Sequence, residues 1–250
     1  MALVHSFETS GNKLFKYRGQ IPVVLFLLAI PVIYFTDYQC VDNNKNLDLA
    51  LLITCAIISL SGQIIRSIAI GTANKHTSGR NTKEGQVAEA LNTKGIYSMV
   101  RHPLYLGNFL MWIGIVMYTY NIYFVIIVCL MFWLYYERIM FAEERFLERK
   151  FGDDYVNWSL KVPAFIPSSK NKVKSEIPFS FKTTLRREYS GITATIIGFV
   201  FVDFFRVWFT TGEVTLTNGQ LITLIVGFGI TIVFRSLKHY TKVLHEEDRS

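Results

Sequence analysis

The sequence predicts an all-α protein, a polytopic transmembrane helical bundle of about six spans. Three observations carry that prediction. Hydrophobic residues make up 51% of the 250 and aromatic residues 15%, and the mean hydropathy is +0.30. The apolar residues are clustered in near-continuous runs over about 21–39, 49–70, 104–119, 121–136, 190–210 and 220–236, each bracketed by charged or turn residues. Charge alternates between the intervening loops. A membrane-spanning helix needs roughly 20 apolar residues, with about 17 as a lower limit, and the first two and last two runs meet that length. The middle pair is shorter and is split only by Tyr120 and Asn121, so it reads as a tight helical hairpin.

The net charge of +7 is distributed by loop. Lys13, Lys16 and Arg18 precede the first run, and Lys75, Arg80, Lys83, Lys94 and Arg101 fill the loop after the second. A long basic stretch from Arg138 to Arg187 separates the fourth from the fifth, and Arg235, Lys238, Lys242 and Arg249 follow the sixth. The alternate loops hold only Asp37, Asp42, Lys45, Asp48 and Glu213. The positive-inside rule then puts both termini and both long basic loops in the cytoplasm. That describes an integral protein of a cell (inner) membrane or an endomembrane. The excess charge is accounted for by membrane orientation, so no nucleic-acid partner is expected. The first apolar run is longer than a signal-peptide core, contains Pro22 and Pro31, and lacks a small-residue cleavage site, so it reads as a retained span. Cys40, Cys55 and Cys129 have no metal-ligand or redox spacing and read as packing residues; no metal is expected.

Four regions follow: two N-terminal spans (1–70), a core of loop, hairpin and amphipathic helix (71–167), a basic linker (168–188), and two C-terminal spans with a tail (189–250). Chemistry-bearing residues concentrate in the core. In "GIYSMVRHPLYLGNFLMWIG", residues 95–114, Arg101, His102 and Pro103 stand directly ahead of an apolar helix. Proline is well tolerated in a first helical turn. The stretch reads either as a helix start with basic residues at a membrane surface or as an anion site built from a cation, a helix N-terminus and aromatic rings. The preceding loop contains "EALNTKG", a short helix-then-turn pattern. The second concentration is "YYERIMFAEERFLERKFGDDYVNWSLKVPAFIP", residues 135–167. There the fourth run continues as an amphipathic helix to Phe151-Gly152, whose charges form either a solvated face or part of a site. A minimal turn makes the third and fourth spans antiparallel. His102 and Tyr105 therefore come to the depth of Glu137 and Arg138, with Glu143 slightly further out. In the fifth run Asp203 and Arg206 read either as a mutually neutralising pair or as a functional site, since charge inside a span is costly.

These motifs together resemble the isoprenylcysteine carboxyl methyltransferase family and the related phospholipid methyltransferases. The resemblance lies in RHPxYxG, then EExxL, then FGxxY, over about residues 85–167, a third of the chain. It implies a membrane-bound methyltransferase using S-adenosyl-L-methionine in a pocket formed by cytoplasmic loops, with a membrane lipid or lipidated substrate as acceptor. It further implies cofactor contacts at Glu89, Ala90, Leu91 and Asn92, at Tyr97, at His102, Pro103, Leu104 and Tyr105, and at Glu143. The family's substrate-binding arginine aligns with Ile139, one residue past Arg138, so Arg138 fills that role only with a local adjustment. The last two spans have no matching counterpart.

The residue types suit that chemistry. Arg101 or His102 at a helix N-terminus suits the cofactor carboxylate, Glu143 its ribose hydroxyls or ammonium, and Tyr97 and Tyr105 its adenine or sulfonium. An anionic acceptor needs no base; an amine or hydroxyl would need one, with Glu137 and Glu144 as candidates. The alternatives are an NADPH-dependent membrane reductase of lipid double bonds and a non-catalytic membrane protein of the same fold. The topology predicts that cysteines introduced at Asn44 and Thr217 are labelled by an impermeant reagent from outside the cell. One introduced at Ser169 is expected to stay protected, and its labelling would invert the topology.

Overall fold

The structure, a computed structural model, describes residues 2–74, 77 and 86–246. Lys75, Arg80, Lys83 and Arg249 of the basic segments lie outside the described residues. These residues form nine α-helices and no strand: α1 (Leu3–Tyr17), α2 (Ile21–Phe35), α3 (Gln39–Asp42), α4 (Lys45–Gly71), α5 (Pro103–Met117), α6 (Ile122–Phe151), α7 (Asp153–Ser159), α8 (Phe181–Thr211) and α9 (Asn218–Tyr240).

Four of them, α4, α6, α8 and α9, are long and apolar enough to cross a bilayer. The other two apolar helices, α2 and α5, have 15 residues each. At 1.5 Å per residue they measure about 22 Å, short of a hydrocarbon core of about 30 Å. They are shorter than the runs at 21–39 and 104–119 because the chain turns extended at Thr36, after which Tyr38 is buried, and because α5 stops at Met117. The hairpin is as tight as expected. Tyr120 takes a left-handed φ of 55°, and Asn121 caps α6 by accepting from the Phe124 N–H at 3.0 Å. Helix α6 runs on to Phe151 and ends where Gly152 adopts φ 54°. By contrast, "EALNTKG" forms no α-helix, and only its last residue, Gly95, enters a short 3-10 turn. There the Asn92 side chain accepts from the Asn74 backbone and side chain and donates to Thr77, holding the loop by side-chain bonds that compete with helix formation.

Helices α2, α4, α5, α6 and α8 share a core that includes Ile33, Cys55, Ile113, Val128 and Val202. A smaller core of Phe15, Tyr105, Tyr136, Ile139 and Met140 joins α1, α5 and α6. Helix α1 was not foreseen from the sequence. It packs on α6, where Tyr135 donates to the Leu14 carbonyl at 3.0 Å and Glu8 pairs with Arg149 at 2.6 Å. At one end of the bundle Arg206 of α8 pairs with Asp48 of α4 through two contacts of 2.9 and 3.0 Å, surrounded by the rings of Tyr38, Tyr118 and Tyr120. Asp203 instead accepts from Tyr118 and Gln220, at 2.7 and 2.8 Å. Arg206 is thus neutralised mainly across the bundle rather than along its own helix.

The tightest crossing is α4 on α5. A Cβ on Gly62 would lie 2.5 Å from the Gly107 carbonyl and 2.7 Å from the Met111 nitrogen. Ser59 fastens the same crossing by donating to the Met111 carbonyl at 2.8 Å. Because both close neighbours are backbone, Gly62→Ala must push the helices apart. We expect a loss of about 1–3 kcal/mol, the usual range for overpacking. It would be read as a lowered thermal midpoint in detergent; an unchanged midpoint would mean that the crossing yields freely.

Candidate functional site

The site is built at the bundle end opposite Asp48 and Arg206. Residues 99–102 are held by backbone hydrogen bonds to the returning segment after α7. The Arg101 and His102 N–H groups donate to the carbonyls of Pro163 and Ala164 at 2.9 and 3.2 Å, and the Ser168 N–H donates to Met99 at 2.9 Å. Trp158 donates through its indole to the Tyr97 carbonyl at 3.2 Å. Pro103 then opens α5, with the His102 carbonyl accepting from the Tyr105 and Leu106 N–H groups.

The His102 imidazole is 6% exposed and lies between two carboxylates of α6. Its Nε2 is 2.8 Å from Glu144 Oε1 and its Nδ1 is 3.6 Å from Glu143 Oε2. Arg101 Nη1 donates to Glu144 Oε2 at 3.2 Å. Burial opposes charge on the imidazole, but the hydrogen bond to Glu144 and the negative charge of Glu143 and Glu144 outweigh it and hold its pKa above the usual histidine value. Tyr105 stacks on this ring with centroids 5.5 Å apart.

A cavity of about 280 Å³ opens beside this cluster. It is lined by Ala90, Leu91, Asn92, Tyr97, Arg101, His102, Pro103, Leu104, Tyr105 and Glu143 among the residues expected from the sequence. Among the buried polar atoms on its wall that have no hydrogen-bond partner are Arg101 Nε and Glu143 Oε2. An acceptor group on a bound molecule would satisfy the first and a donor the second. The other expected residues lie elsewhere. Glu144 sits behind His102 and Arg101, and Glu89 and Glu137 are exposed. Arg138 faces α1, donating to Ser10 at 3.3 Å and covering the Phe7 ring at 4.6 Å.

A second, more apolar cavity of about 320 Å³ lies between α2, α5, α6 and α8, among Leu25, Phe109, Met111, Trp112, Val128, Phe132 and Ala194. Both cavities are lined by Arg18, Arg66, Asn108, Arg187 and Glu188. None of these five was singled out in the sequence as a site residue. Arg66, a charge inside an apolar run, carried the signal that could have found it.

Residues 50–154 match the phospholipid methyltransferase family. The match covers 105 of the 250 residues and is a likeness of that segment. Two similar relatives are protein-S-isoprenylcysteine O-methyltransferases. The one from Schizosaccharomyces pombe is 34% identical over 106 residues, 42% of this chain and 45% of the relative. The one from Saccharomyces cerevisiae is 29% identical over 164 residues, 66% of this chain and 68% of the relative. The nickel-cobalt-cadmium resistance protein NccN of Alcaligenes xylosoxydans xylosoxydans is 39% identical over 85 residues, 33% of this chain and 38% of that protein. The chain thus spans about half the length of the first of these relatives. No solved structure matches. The family segment contains α5, α6 and most of α4, and it ends before α8 begins.

A histidine whose folded pKa is raised stabilises the fold fully below its unfolded value of about 6.5 and loses that contribution as pH rises through the folded value. The wild-type thermal midpoint should therefore fall across that interval more steeply than that of His102→Gln. Parallel pH profiles for the two proteins would mean that His102 is not charged in the fold.

Proposed function

We propose that this chain is an integral-membrane methyltransferase that uses S-adenosyl-L-methionine to methylate a carboxylate on a lipid-linked acceptor. One observation carries the reading: a polar cavity and an apolar cavity share a single charged wall. The family match and the printed names of the two yeast relatives support it. The basic loops support a cytoplasmic orientation for this end of the bundle.

When bound, S-adenosyl-L-methionine supplies an electrophilic methyl group on a sulfonium. The residues of the first cavity fit such a molecule. Arg101, His102 and the N-terminus of α5 would hold its carboxylate. Glu143 would accept from its ammonium or a ribose hydroxyl, satisfying the orphaned Oε2, and the Tyr97 and Tyr105 rings offer faces to its adenine or sulfonium. The second cavity accepts an apolar chain. Holding both molecules against one wall converts their encounter into an aligned, intramolecular one.

The wall favours a carboxylate as the acceptor group. It carries three guanidinium groups, Arg18, Arg66 and Arg187, against the single carboxylate of Glu188. A carboxylate is already ionised near neutral pH and needs no proton acceptor, whereas an amine would. Glu144 is engaged by His102 and Arg101, Glu137 is exposed, and Glu188 already accepts three hydrogen bonds.

Glu143→Ala and His102→Ala should each weaken S-adenosyl-L-methionine binding in detergent by about 1.5–3 kcal/mol, roughly ten- to more than a hundredfold, the value of a hydrogen bond to a charged group. Calorimetry would measure this, with NADPH expected to give no binding heat. Unchanged affinity in both variants would remove the basis for the site.

A further inference from the structure

Helix α8 lies outside the family-matched segment, yet it supplies Glu188 and Arg187 to both cavities. Glu188 is 2% exposed. Its Oε1 accepts from Arg66 Nη2 at 2.7 Å, and its Oε2 accepts from Arg66 Nε at 2.8 Å and Gln63 Nε2 at 2.7 Å. Arg66 Nη1 donates to Asn108, whose amide in turn donates to the Tyr136 hydroxyl at 3.1 Å. A guanidinium has five N–H donors in a fixed plane. These contacts engage three of them and leave one on Nη1 and one on Nη2. Arg66 retains 19% side-chain exposure where the two cavities adjoin. A planar fork with two remaining donors suits a two-oxygen anion.

We propose that α8 completes the acceptor side of the site, with Glu188 as a positioning residue. It locks one edge of the Arg66 guanidinium so that the remaining donors receive the acceptor's carboxylate at the junction of the cavities. The proposal rests on the methyltransferase reading above. It adds that acceptor recognition depends on a helix outside the family-matched segment.

The test uses the full chain in detergent micelles, with N-acetyl-S-farnesylcysteine as the acceptor probe and its carboxamide as the uncharged control. Wild type should bind the carboxylate at least tenfold more tightly than the carboxamide, measured by calorimetry without methyl donor. Glu188→Gln should raise the acceptor KM at least tenfold while moving the donor KM less than threefold, and Glu188→Asp should restore part of the loss. Arg66→Met/Glu188→Met covers the case in which a lone substitution fails to fold, because a buried ion pair can be replaced by packed apolar residues without loss of stability. That double variant should lose the preference for carboxylate over carboxamide.

Equal binding of the two probes by wild type overturns the proposal. So does a double variant that keeps the preference, or a Glu188→Gln enzyme that is less stable but has an unchanged acceptor KM. A wild-type protein that binds no S-adenosyl-L-methionine and methylates nothing would instead sink the methyltransferase reading. In that case carboxylate preference in the binding arm would still report on Arg66 and Glu188.

Discussion

The close approach of α4 and α5 is the constraint on which the rest of the site depends. Gly62 admits the Gly107 carbonyl, and Gly107 admits the stem of Arg66, whose Cγ lies 2.4 Å from where a Cβ would stand. Gly62 and Arg66 are four residues apart and therefore share a helix face. One crossing thus aims the guanidinium along α5 and sets its distance from Asn108. The same helix begins at His102, so the histidine cluster and the arginine cluster are referenced to one rigid element. With larger residues at the two glycines, neither cavity would keep its present wall.

Three clusters of buried or half-buried charge each have their counter-charge in place. Arg66 with Glu188 and His102 with Glu143 and Glu144 border the cavities; Asp48 with Arg206 closes the far end of the bundle. In all three the partners come from different helices, which ties distant parts of the chain together. Taking charges out of water is costly, and the cost is offset only where geometry and extra hydrogen bonds are good. Gln63 and Asn108 supply those bonds in the first cluster, Arg101 in the second, and Tyr120 in the third. The far cluster is flanked by aromatic rings and lines neither cavity, so it acts as a clasp between α4 and α8.

Arg138 illustrates why spacing along a helix has to be read by angle as well as by depth. Five residues separate it from Glu143, and at 3.6 residues per turn that is a rotation of about 140°. Glu143 and Glu144 turn towards α5 while Arg138 turns towards α1, where Gly11 packs against its backbone carbonyl. Depth in the membrane, which the hairpin makes easy to infer, would have grouped all three.

The sequence by itself determined the apolar helices, the tight turn at Tyr120 and Asn121, the extension of α6 to Gly152, and the approach of His102 to Glu143. All of these follow from local rules: run length, a helix-capping asparagine, a terminating glycine, and the antiparallel course that a short turn imposes. Tertiary structure alone decided which charges pair across helices and where the second cavity lies. Arg66 and Glu188 are 122 positions apart, and Asp48 and Arg206 are 158 apart. No periodicity links residues at such separations. Their pairing follows from how α8 packs on α4, a choice fixed by the fit of side chains over the whole interface.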